Sequence, residues 1–92
     1  MTQSIISMTA EYESATELVA TYLGELNTRR HQERKKNFPD QARIEQLGQM
    51  MDAAKKDRSA MNPDNPEMTR QVLKSYKAKL DQFLGGSHAP EL

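Results

Sequence analysis

A chain of 92 residues is one domain at most, and its 13 basic and 13 acidic side chains leave no net charge to draw it to a polyanion. Without cysteine it has no disulfide, no zinc-thiolate centre and no thiol nucleophile. Ile, Leu, Val and Phe supply 15 of the 92 residues, and six Met, adaptable fillers that specify a core poorly, extend that set. A core this thin implies marginal stability, which self-association or a protein partner would remedy.

Residues 1–7 read as a disordered lead-in. Thr9 then suits a helix N-cap, with Glu11 and Glu13 near the positive end of the helix dipole. From there Met8, Tyr12, Ala15, Val19, Tyr22 and Leu26 recur at alternating steps of four and three, the period of a helix packed on another helix. The next positions on that seam are Arg29 and Glu33, so the seam predicts a helix to about Lys36 that runs out of apolar surface before its end. Residues 1–28 hold Glu11, Glu13, Glu17 and Glu25 with no Lys or Arg, whereas residues 27–36 concentrate Arg29, Arg30, Arg34, Lys35 and Lys36 around Glu33. These five cations are the candidate contact for an anionic partner. The simpler reading is that they complement the helix dipole, with Glu25 and Arg29 paired one turn apart.

Pro39 forces Phe38 out of the helical region and is placed at the first position of a second helix. Ile44, Leu47, Met51 and Ala54 give that helix its seam, in a frame that continues through Arg58 to Met61. Gly48 borders the seam, where a missing side chain would admit a close neighbour. Two Asn-Pro steps follow, and Asn65 as N-cap with Pro66 behind it starts a third helix running to about Leu84. Leu73, Tyr76, Leu80 and Phe83 share one side of it with Val72, while Arg70, Lys74 and Lys77 form a basic stripe beside them. Gly85-Gly86 is a stop signal, and residues 87–92 read as a disordered tail. The fold class is therefore all-α, a small antiparallel three-helix arrangement: a long helical hairpin plus a third helix, in a single domain spanning residues 1–92. The charged end of the first helix and the start of the second are expected to protrude as a hairpin tip.

Chemistry has little to work with. His31 and His88 have no metal-ligand spacing, Asp52, Asp57 and Asp64 lack the Gly and closing Glu of a calcium loop, and no Gly-rich phosphate loop occurs. The expectation is a protein that is not an enzyme and has no cofactor, metal or small-molecule substrate. It would bind a protein partner, or itself, through apolar helix seams: Tyr12, Val19, Tyr22 and Leu26 of the first helix, Leu47 and Met51 of the second, and Leu73, Tyr76, Leu80 and Phe83 of the third. Adaptor, chaperone, inhibitor and assembly subunit all suit that description. A nucleic-acid-associated regulator using residues 29–36 is the alternative. No segment is long and apolar enough to span a membrane and no basic-then-apolar leader opens the chain, so the cytoplasm is expected, with export lacking a cleavable signal left open.

Asn62-Pro63-Asp64-Asn65-Pro66, followed by Tyr76-Lys77-Ala78-Lys79-Leu80-Asp81-Gln82-Phe83, resembles the turn and following helix of bacterial type III secretion needle subunits. Those small helical hairpins carry an Asn-Pro-x-x-Pro turn and then a Tyr-Gln-x-x-Leu-type helix. The resemblance covers residues 62–83. Here the gap between turn and Tyr is longer by about one helical turn, and needle subunits continue into a long C-terminal segment. It implies a needle-like subunit or the small helical chaperone of such an apparatus.

Overall fold

A computed structural model of the protein describes residues 5–85. They form three helices, α1 (Ile5–Arg34), α2 (Gln41–Ala60) and α3 (Pro66–Leu80), the last running on into a π-helical turn, Asp81–Gly85. The all-α, three-helix class read from the sequence is the one observed.

Local chemistry sets most boundaries. α1 begins at Ile5, one turn ahead of the Thr9 cap, so Ile5 to Ser7 belong to the helix and not to a lead-in. It ends at Arg34, where the Lys35 and Lys36 amides turn back onto the Gln32 and Glu33 carbonyls. α2 is capped by Asp40, whose carboxylate accepts the Arg43 amide at 3.2 Å, which leaves Pro39 before the cap instead of at the first helical position. The second connection is an Asx turn: Asn62 Oδ1 accepts the Asp64 amide, and the Asn65 amide closes onto the Asn62 carbonyl. Asn65 then caps α3 by accepting the Met68 amide, with Pro66 opening the helix as its sequence predicts. Past Leu80 the helix loosens into the wider π turn and carries on through Gly85. Gly86 and the expected tail 87–92 lie outside the described residues, as do residues 1–4.

α1 is the spine. Its seam residues Ala15, Val19 and Leu26 are wholly buried and Tyr22 nearly so. α2 brings Leu47 and Ala54 to it, α3 brings Val72, Tyr76 and Leu80, and Met61 closes the core from the connection between them. Both α2 and α3 lie along α1, while direct contact between α2 and α3 is slight. The order of the pairs Glu11–Arg70, Tyr22–Tyr76 and Arg29–Phe83 shows α3 running in the same direction as α1. Among the described residues, the π-helical turn that prolongs α3 reaches α1 at Arg29, and the end of α1 and the start of α2 continue beyond that contact as a two-helix tip.

Candidate functional site

Two places gather side chains with chemistry to offer. The first is an aromatic corner between α1 and α3. The Tyr22 ring meets the Tyr76 ring edge-on, centroids 5.1 Å apart, and stacks on Phe83 at 5.5 Å. Cations close it from both sides. The Arg29 guanidinium lies 4.4 Å from the centre of the Phe83 ring, and the Lys79 ammonium lies 4.8 Å from that of Tyr76. Arg29 is held by three contacts at once: it donates to Glu25 at 3.0 Å, as the one-turn spacing predicts, donates to the Phe83 carbonyl, and covers the Phe83 ring.

Tyr76 also ties α3 to α2. Its hydroxyl donates to Asp57 Oδ2, and burial, aided by that carboxylate, raises its pKa well above the ordinary tyrosine value. Burial raises the Tyr22 pKa as well. Next to this bond, where α2 and α3 diverge, an open pocket of about 180 Å³ is lined by Asp57, Met68, Gln71, Val72, Ser75 and Tyr76.

The second place is the hairpin tip. Glu33, on the α1 seam, is only 9% exposed. Its Oε2 accepts the Asp40 amide at 2.9 Å and its Oε1 accepts the Lys36 ammonium at 2.9 Å. The backbone bond from Asp40, with help from Lys36, holds its carboxyl below the ordinary value. One carboxylate therefore staples the end of α1 to the N-cap of α2. Arg30 lies against Gly48, where an added Cβ would stand 3.2 Å from its Nη2, and its Nε is buried without a hydrogen-bond partner. The glycine thus admits a guanidinium rather than a close helix backbone. Beyond the staple the tip turns outward. Arg34, Lys35 and Lys36 are exposed, and Phe38 is 91% exposed.

The residues read as a partner surface are divided by the fold. Val19, Tyr22, Leu26, Leu47, Tyr76 and Leu80 lie in the chain's own core, and Tyr12, Met51, Leu73 and Phe83 are half-buried against it. Of the five basic residues, Arg29 and Arg30 are drawn into the structure and Lys36 pairs with Glu33. Arg34 and Lys35 stay in solvent. On α3, Arg70 pairs with Glu11 at 3.4 Å, and Lys74 and Lys77 are exposed. The sequence reading missed Phe38 as a surface feature. The signal was present in its place between three basic residues and a Pro, off both seams. Among the described residues no three His, Asp or Glu side chains gather to hold a metal, and no helix is long and apolar enough to cross a membrane. No protein-family model, no curated protein and no solved structure matches the chain.

Proposed function

We propose that this chain is a non-enzymatic helical protein-interaction module of the cytoplasm, an adaptor, chaperone, inhibitor or assembly subunit, whose contact surface is the hairpin tip. Phe38 supports this reading most. A single exposed apolar residue is ordinary on a protein surface. Phe38 differs in its setting: it projects from a connection fixed at both ends, by the Glu33 staple on one side and the Asp40 cap on the other, beside exposed cations. Aromatic side chains held this way bury a large area at small entropic cost, which makes them frequent anchors of protein interfaces. In this reading the buried seam residues hold that tip in place.

A needle-like secretion subunit or its chaperone is the narrower proposal within this class, supported by the likeness of residues 62–83. Those residues form the Asn-capped turn and helix α3. A photo-crosslinking amino acid at position 38, expressed in cells, tests the general reading. A discrete protein adduct, of another protein or of this one, is expected. Adducts to lipid or nucleic acid alone, or none at all, would count against a protein-binding tip.

A further inference from the structure

We propose that the cleft between the end of α1 and the start of α2 is a binding site for a phosphate group. The inference stands on the cleft's own residues and does not require the tip to bind protein. Arg29, Gln32 and Glu33 share one face of α1, Lys36 follows in the turn beyond it, and Arg43 comes from the first turn of α2. Together they line an open cleft of about 250 Å³. A molecule of liquid water takes about 30 Å³, so a tetrahedral phosphate fits there with bridging waters beside it. Of the basic cluster at residues 29–36, Arg29 and Lys36 take part, and the fold brings Arg43 to them across the connection.

Spare hydrogen-bond donors point to the ligand. Arg29 uses Nε on Glu25 and Nη2 on the Phe83 carbonyl, and Arg43 uses Nη1 on Gln46. Lys36 gives one of its three N–H groups to Glu33. Among the described residues nothing accepts from Arg29 Nη1, from Arg43 Nε and Nη2, or from the other two Lys36 hydrogens. A planar carboxylate is matched by a single guanidinium fork. Donors arriving from two arginines and a lysine suit instead a group with three terminal oxygens and more than one charge.

Charge and rigidity agree with that ligand. Glu33 is the only carboxylate among the lining residues, and its two oxygens are engaged by the Asp40 amide and Lys36. Between residues 25 and 43 six cations stand against Glu25, Glu33 and Asp40, so the charge around the cleft is positive in a chain that is neutral overall. Arg29 is already fixed by Glu25 and by the carbonyl and ring of Phe83, and Lys36 by Glu33. Donors set in place beforehand lose little freedom when the anion arrives.

Titration of the ¹⁵N-labelled full chain with inorganic phosphate, followed by NMR against sodium chloride of equal ionic strength, tests the proposal. Phosphate is expected to shift the signals of Gln32, Glu33, Lys36 and Arg43 saturably, and chloride to leave them in place. Arg43→Gln should weaken binding roughly tenfold, the share of one hydrogen bond between charged groups. Gln32→Glu, at an exposed position of the wall, should abolish it by setting a second carboxylate in the cleft. Lys35→Gln removes the same charge as Arg43→Gln from a residue outside the lining, and should change the affinity less than twofold. A shift that never saturates, or that chloride reproduces, overturns the site. So does equal weakening by Lys35→Gln and Arg43→Gln, which would reduce it to a general positive field, and so does unchanged affinity in Gln32→Glu. Phosphoserine blocked at both ends separates the sources of the group. Tighter binding than inorganic phosphate assigns the cleft to a phosphorylated side chain and weaker binding to free phosphate, and either result supports a phosphate site.

Discussion

Glu33 occupies a position where the helical period asks for an apolar side chain, and the backbone amide of Asp40 explains how a carboxylate can live there. Its lowered pKa has a consequence for acid stability. The folded state holds the carboxylate better than the unfolded chain does, so the contribution is complete above the ordinary carboxylate range and is lost as pH falls through the lowered value. The melting temperature of Glu33→Gln should therefore lie furthest below the wild type near neutral pH, the gap closing on acidification. A gap independent of pH would remove the staple from the account. The glycines give a second contrast. A Cβ on Gly24 meets nothing within 4 Å, so Gly24→Ala should stabilise the chain by about 0.5–1 kcal/mol through helix propensity alone. At Gly48 the same change must displace Arg30, and its gain in a thermal melt should be smaller.

Among the elements, α1 and α3 were legible because their evidence is local. The four-three spacing from Tyr12 to Leu26 matches the buried stripe, and Asn65-Pro66 carries cap and first turn together. The α2 start misled for a local reason as well. Pro39 and Asp40 both suit a helix beginning, and the side chain able to accept the Arg43 amide takes the cap. The burial of Glu33 and Arg30 was not legible, because the connection folds the Asp40 amide onto Glu33 and the hairpin register sets Gly48 against Arg30, and period within one helix carries neither. The seams themselves permit a direct test. Val19→Asp and Leu47→Asp place a carboxylate at positions 0% and 1% exposed, a burial that costs several kcal/mol when unpaired. Small domains hold only about 5–15 kcal/mol in total. Both variants should lose most of their helical circular dichroism, and Gln49→Asp, at an exposed position of α2, should keep it. Equal behaviour of Leu47→Asp and Gln49→Asp would displace α2 from the arrangement.

Taken whole, the molecule is one long helix with two shorter ones laid against it by different kinds of contact. α2 is held by aliphatic and Met side chains, Ile44, Leu47 and Ala54 with Met50 and Met51, whereas aromatic rings and cations hold α3. Tyr76 belongs both to the aromatic corner and to the α2–α3 bond, so Tyr76→Phe keeps the ring while removing the tie to Asp57. Such a hydrogen bond to a charged group contributes about 1.5–3 kcal/mol, less where water reaches the carboxylate. Since α2 and α3 scarcely touch otherwise, losing that bond leaves each of them to open from α1 on its own. Hydrogen exchange under native conditions should show it. In the wild type the amides of α2 and α3 exchange with similar protection, and in Tyr76→Phe they separate into two classes. Unchanged, matched protection in the variant would mean that α1 alone couples them. The core itself is shared by all three helices, so the exchange pattern of Tyr76→Phe asks whether that shared packing or one phenolic oxygen keeps the two arms opening together.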